Sequence, residues 1–151
     1  MSKFYDSYKA VFEAVKSVLV YVPAQEETPA KGVEALKSVV LGEQFTYGDL
    51  PKAVINAEPS PIAPGDMGSL LNVSLSFSVV LVIQEYEPSD WFEDVISVMG
   101  DVVDAVLADR KLTGKVKECY PVACAPGEIK FQDKLLFGGI VRFRTVLWFE
   151  P

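Results

Sequence analysis

The stretch LNVSLSFSVVLVI, residues 71–83, decides the fold of this 151-residue chain. Its odd-numbered positions are all apolar, and its even-numbered positions begin with small polar residues. The two sets are Leu71, Val73, Leu75, Phe77, Val79, Leu81 and Ile83, and Asn72, Ser74, Ser76 and Ser78. Because successive side chains of a strand point to opposite faces, this alternation predicts a β-strand with one face in the core and one at a wetter surface.

Composition limits the classes of protein to which the chain can belong. Its length fits a single domain over residues 1–151, which would bury about 70% of the unfolded surface. A net charge of −7 argues against a general nucleic-acid binder, since such a protein needs a basic surface to neutralise phosphates. We find neither the apolar run of a signal peptide near the start nor a run long enough to span a membrane. The sequence therefore predicts a cytosolic protein with no membrane partner.

Hydrophobic periodicity places the other elements around the strand at residues 71–83. The predicted elements are, in order, a helix at 2–20, strands at 36–41, 52–57 and 71–83, a helix at 90–111, and strands at 116–125 and 135–149, with a turn at 126–134. This order, α-β-β-β-α-β-β, predicts an α+β fold in which two helices cover one face of a mainly antiparallel sheet with long strands.

The second predicted helix carries two adjacent apolar stripes. They comprise Trp91, Val95, Val98, Val102 and Val106, and Phe92, Ile96, Met99, Val103 and Leu107. A broad apolar face of this kind is typical of a helix that packs across a sheet, so we expect both stripes to face the core.

Prolines and glycines dominate the run EPSPIAPGDMG, residues 58–68. Proline lacks the backbone N–H that a strand ladder needs and restricts the residue before it, so this run is neither a helix nor a central strand. We predict an extended arm that projects from the domain and contacts a partner.

The residue types that most catalytic and metal sites need are absent or wrongly spaced. The chain has no histidine, which excludes Ser-His-Asp, Cys-His and histidine-based metal sites. Its glycines do not match the phosphate-binding spacings, and its acidic pairs lie on loops and polar helix faces. Cys119 and Cys124 would point to opposite faces of one strand and could not bridge each other. We therefore predict no catalytic residue, no cofactor and no metal, and a protein that is not an enzyme.

The order of elements is accompanied by two local phrases. LPKAVI, residues 50–55, forms a short strand after a proline-containing stretch, and LADRKLTGKV, residues 107–116, ends the second helix before the closing strands. Over nearly the whole chain, this arrangement resembles the tail terminator and tail completion proteins of long-tailed phages and tailed archaeal viruses, including the lambda-like tail terminator group.

This resemblance implies a structural virion protein. Such proteins form a ring, usually a hexamer, that caps the finished tail tube, stops its polymerisation and provides the head-joining surface. The implied partners are other copies of the chain, the major tail tube protein and a head-completion or neck protein. The implied location is the head-proximal end of the virion tail, after assembly in the host cytoplasm. DNA would pass through the ring without sequence-specific binding, which suits an acidic subunit.

A ring built by head-to-tail contacts needs two different, complementary patches on each subunit. We expect them near residues 41–50, 58–68, 71–83 and 126–134. The candidate subunit or tube contacts are Gly42, Phe45, Tyr47, Pro59, Pro61, Ile62, Pro64, Ser74, Ser76, Ser78, Arg142 and Arg144. Two other functions remain open: a neck or head-completion protein of a tailed virus, and a non-viral α+β domain that binds a small ligand or assists an enzyme.

Overall fold

A computed structural model describes residues 2–42, 50–65, 70–84, 91–131 and 134–151. The elements are α1 (Lys3–Leu19), β1 (Ser38–Leu41), β2 (Lys52–Ala57), β3 (Ile62–Pro64), β4 (Leu71–Gln84), α2 (Trp91–Ala108), β5 (Glu118–Phe131) and β6 (Lys134–Phe149). They form one sheet in the order β1-β2-β4-β6-β5, and β3 pairs with β4. Among the described strands, only β1 and β2 pair in parallel. The predicted α+β fold is confirmed.

Strand β4 lies at the centre of the sheet, and its apolar face forms the core. The side chains of Val73, Leu75, Phe77, Val79 and Leu81 are fully buried. The Phe77 ring stacks on Phe143 of the adjacent strand β6, with 5.2 Å between the ring centroids. The alternation that predicts this strand from the sequence therefore also identifies the core face.

Helix α1 packs on this apolar face. It begins after Ser2, whose Oγ accepts a hydrogen bond from the Tyr5 N–H at 3.1 Å and so satisfies a free donor of the first turn. The buried residues of α1 are Val11, Phe12, Ala14, Val15 and Leu19. The Phe12 ring meets the Phe77 ring edge-on, with 6.1 Å between the centroids. The amphipathic helix predicted at residues 2–20 is thus present, and its apolar face is buried.

Helix α2 covers β5 and β6 on the same side of the sheet, but its second apolar stripe is only partly buried. The buried residues are Val95, Val98, Met99, Val102 and Val106. Phe92, Ile96 and Leu107, by contrast, are 50%, 46% and 40% exposed. The prediction that both stripes face the core is therefore wrong for these three residues, since a helix laid on a sheet buries only the side that meets it.

Residues 58–65 follow the edge of β4. Within them, β3 pairs antiparallel with residues 71–73 of β4. The prediction of a projecting arm over residues 58–68 therefore needs correction at residues 58–65, and residues 66–68 lie outside the described residues. The short strand β3 also extends the predicted order to α-β-β-β-β-α-β-β.

Strand β5 continues six residues past the predicted end at residue 125 and reaches Phe131. The turn predicted at residues 126–134 is therefore wrong for its first part. Pro126 and Gly127 stay in the ladder, opposite Gly139 and Gly138 of β6. This is possible because β5 lies at an edge of the sheet, where a proline without an N–H breaks no bond to a further strand.

Candidate interaction surface

The sheet face opposite the helices carries the predicted serines and arginines together. In the β4–β6 register, Ser76 lies opposite Arg144, and Ser78 lies opposite Arg142. Both arginines are exposed, whereas Ser78 is only 3% exposed. We call this surface the open face. It is formed by Asn72, Ser74, Ser76, Ser78, Glu118, Tyr120, Arg142, Arg144, Val146 and Trp148.

Ser60 anchors the segment before β3 to the edge of β4. Its Oγ accepts a hydrogen bond from the Ser76 N–H at 3.0 Å and donates one to the Glu58 carbonyl at 2.9 Å. The Ser74 N–H donates to the Pro61 carbonyl at 2.9 Å. A proline can accept a bond in this way although it cannot donate one. These contacts explain why a proline-rich segment lies flat against the strand.

One arginine of the open face is paired, and the other is not. Arg142 Nε lies 3.1 Å from the Glu58 carboxylate, and 52% of the arginine side chain remains exposed. Such an exposed pair contributes at most about 1 kcal/mol to stability. Among the described residues, Arg144 has no carboxylate partner. Its guanidinium group is therefore available to an incoming surface.

Of the other predicted contact residues, those in the segment 59–64 lie beside the open face, whereas Gly42 lies away from it. The residues exposed along its edge are Pro59, Pro61, Ile62 and Pro64. Gly42 lies beyond the end of β1, where its N–H donates to the Ile55 carbonyl at 2.8 Å. It is thus separated from β6 by β2 and β4. Phe45 and Tyr47 lie outside the described residues.

The open face ends in a basic groove with a volume of about 320 Å³. Its lining residues are Lys111, Gly114, Lys115, Val116, Lys117, Leu147 and Trp148. Lys117 Nζ lies 4.5 Å from the centroid of the Trp148 ring, a cation–π contact. Trp148 is nevertheless 51% exposed. The groove therefore offers positive charge beside an accessible aromatic ring.

The exposed residues of α2 form a second surface that the sequence analysis did not identify as a contact. We call Phe92, Ile96 and Leu107 the α2 stripe. Gly100 lies in the same stretch of helix, and a Cβ added there would have no neighbour within 4 Å. The signal in the sequence was the width of the apolar pattern, which exceeds the arc that one sheet can cover. Large exposed apolar side chains in a row are typical of interaction sites.

A β-bulge at Val122 places both cysteines on the same face of β5. Cys119 lies opposite Thr145, and Cys124 lies opposite Val141, so both positions belong to the core side of the sheet. The prediction of opposite faces is wrong because the bulge adds one residue between them. Their separation along the strand is roughly 13 Å, which still prevents a disulfide.

Burial determines the chemistry of Cys119. It raises the pKa of the thiol from its ordinary value of 9.0 to about 12, and the nearby Arg110 guanidinium opposes this rise only in part. The thiolate, which is the nucleophilic form, is therefore scarce at neutral pH. We accordingly treat Cys119 as a packing residue. Cys124 is exposed and free.

Neither potential metal ligands nor comparisons with known proteins identify a further site among the described residues. In the part of the chain that the structure describes, no three Cys, Asp or Glu side chains are grouped to hold a metal ion. Neither described helix is long and apolar enough to cross a bilayer. No protein-family model matches the chain, and no curated protein matches it. The candidate site is therefore defined by the open face, the basic groove and the α2 stripe.

Proposed function

We propose that this protein is a tail terminator or tail completion protein. Copies of it form a ring of six subunits, the number that the resemblance implies, which caps the tail tube and joins it to the head. The observation that carries the proposal is that an exposed, basic sheet face and an exposed apolar helix stripe lie on one small domain. Each subunit thus has two different surfaces to offer, as a head-to-tail ring requires.

The charge of the open face favours a protein contact over the lining of a DNA channel. Arg142 and Arg144 lie directly opposite Ser78 and Ser76 in the ladder, so this face carries positive charge that would attract DNA. Guanidinium groups bind phosphates and would hold DNA that has to slide past. We therefore place the open face against a neighbouring protein and leave the channel to other, more acidic parts of the surface.

The proposal is tested on tail tubes assembled from a major tail tube protein of the same virus. We expect the wild-type protein to bind tube ends in electron micrographs and to stop further lengthening when free tube subunits are added. Arg144→Glu should lose this capping, while its melting temperature stays within about 2 °C of the wild type because the side chain is exposed. Lys16→Glu, an exposed charge reversal on α1, is the matched control and should cap normally.

Two results would contradict the proposal. A wild-type protein that remains free of tube ends at every concentration would exclude a terminator. Binding to head portal complexes without binding to tubes would instead support a neck or head-completion protein.

A further inference from the structure

Helix α2 presents an apolar stripe in an acidic setting. Its sequence, WFEDVISVMGDVVDAVLA, contains four carboxylates and no lysine or arginine. The carboxylates are Glu93, Asp94, Asp101 and Asp104, and all four residues are exposed. The exposed surface of α2 therefore combines apolar anchors with uncompensated negative charge.

The open face and its groove have the opposite character. The carboxylates of Glu58 and Glu118 are each paired with an arginine, Arg142 and Arg110 respectively. Among the described residues, no carboxylate forms an ion pair with Arg144 or with the three lysines of the groove, and Trp148 provides an exposed aromatic ring beside them. Positive charge is thus concentrated here although the whole chain carries −7.

The two surfaces also match in length. Phe92 and Leu107 lie roughly 22 Å apart along the helix axis, at about 1.5 Å per residue. Arg142 and Trp148 lie roughly 20 Å apart along β6, at about 3.4 Å per residue. One layer of helices already covers the other side of the sheet, and a helix on the open face would complete a three-layer arrangement of a common kind.

We propose that the α2 stripe of one copy of this chain docks on the open face of the next copy, with Phe92 and Ile96 as apolar anchors. The acidic residues of α2 lie against Arg144 and the lysines of the groove. Since the stripe and the open face are different surfaces, the contact is heterologous and propagates from subunit to subunit. The inference rests on the proposed ring and specifies which surfaces build it.

Two double variants test the contact in solution. The stripe variant carries Phe92→Ala and Ile96→Lys, and the face variant carries Arg144→Glu and Trp148→Ala. Each should self-associate at least about 30-fold more weakly than the wild type, as expected when interface anchors are lost. A one-to-one mixture should form a heterodimer and nothing larger, because only one intact stripe and one intact face remain. Size-exclusion chromatography with light scattering measures both results.

A control variant and the possible contrary results distinguish a failure of the docking proposal from a failure of the proposed function. Tyr5→Ala with Lys16→Glu alters exposed residues of α1 and should assemble like the wild type. Variants that assemble normally, or a mixture without heterodimer, would overturn the docking while tube capping by the wild type still supports a terminator. A wild-type protein that is monomeric both alone and with tail tubes would overturn both proposals.

Cross-linking keeps the test decisive if a double variant fails to fold. In a Cys124→Ser background, Gly100→Cys and Ser76→Cys place one thiol beside the α2 stripe and one on the open face, and they leave every proposed anchor in place. A short bismaleimide should then give a ladder of covalent oligomers on a denaturing gel. Replacing the Gly100 substitution by Lys16→Cys should give none. The absence of a ladder under conditions in which the wild type assembles would overturn the docking.

Discussion

Two adjacent glycines in β6 are needed for close packing. A Cβ at Gly138 would overlap the carbonyl oxygen of Leu81 in β4, and one at Gly139 would lie 2.7 Å from Met99 Sδ of α2. The pattern of residues 135–149 predicts one long strand, and the contacts at these two positions explain why glycines occur within it. A side chain at Gly138 would collide with the backbone of β4, and one at Gly139 would collide with α2, so both glycines allow β6 to lie close to its neighbours.

We predict that Gly138→Ala lowers the free energy of unfolding by about 1–3 kcal/mol, since the new methyl group must displace the backbone of β4. Gly127→Ala is the matched control, because Gly127 lies directly opposite Gly138 in the β5–β6 ladder and has no atom within 4 Å of an added Cβ. It should be neutral or slightly stabilising. Urea denaturation of the two variants measures the difference, and equal stabilities would contradict the packing explanation.

The pairing of serine with arginine shows which features of a strand residue can be predicted from sequence. The face on which it lies can be predicted, whereas its cross-strand partner cannot. The alternation along residues 71–83 predicts that Ser76 and Ser78 share a face, and the pattern of β6 does the same for Arg142 and Arg144. Which serine meets which arginine depends on register, and register is set by turns and bulges that single positions do not reveal. The structure supplies that step by placing Ser76 opposite Arg144.

At the scale of elements, the two edges of the sheet explain why two proline-containing segments form strands where an arm and a turn were predicted. Residues 58–65 and the second half of β5 both contain prolines, and both lie in ladders at an edge of the sheet. Proline excludes a central strand, but it does not exclude an edge strand whose carbonyl groups accept bonds from one neighbour. The exclusion of a central strand is therefore correct, and only the inference of a projecting arm fails for residues 58–65.

The Ser60 hydroxyl group makes one of the hydrogen bonds that attach the segment before β3 to β4, so we predict a local effect from Ser60→Ala. The Ser76 N–H would lose its acceptor, and the free energy of unfolding should fall by about 1 kcal/mol. Hydrogen exchange followed by NMR should show faster exchange at the Ser76 amide. The Gly42 amide, which donates to the Ile55 carbonyl of β2, should keep its rate relative to global stability.

A control and a contrary result complete this test. Ser17→Ala, at an exposed position of α1, should change neither the stability nor the exchange of the Ser76 amide by a measurable amount. An unchanged exchange rate at Ser76 in the Ser60 variant would show that the hydroxyl group does not hold the segment against β4.

The α2 stripe illustrates why the candidate site was only partly predictable from the sequence. Periodicity identifies the apolar residues of a helix but does not tell how much of them the rest of the fold covers. The sheet beneath α2 buries Val95, Val102 and Val106 completely and leaves Phe92 half exposed. The open face, by contrast, followed from alternation alone, since β-strand geometry assigns its side chains to a face before any neighbour is known.

At the scale of the whole molecule, charge acts in two opposite ways on assembly. Every subunit carries −7, so copies repel one another, whereas the proposed contact joins acidic and basic surfaces. Salt separates these effects because the Debye length is about 10 Å at 0.1 M and about 3 Å at 1 M. Repulsion between whole subunits is already largely screened at 0.1 M, so the remaining dependence on salt reports mainly on close pairs.

We therefore predict that raising sodium chloride from 0.1 to 1 M weakens self-association of the wild type by about 5- to 10-fold, equivalent to the loss of about 1 kcal/mol of surface ion pairing. Sedimentation equilibrium at both concentrations gives the dissociation constants. Arg144→Gln removes the unpaired cation while keeping an uncharged polar side chain, so its association should be weaker at 0.1 M and respond less to salt. Tighter assembly of the wild type in 1 M salt, or equal salt responses in both proteins, would mean that the acidic helix does not meet Arg144 across the subunit contact.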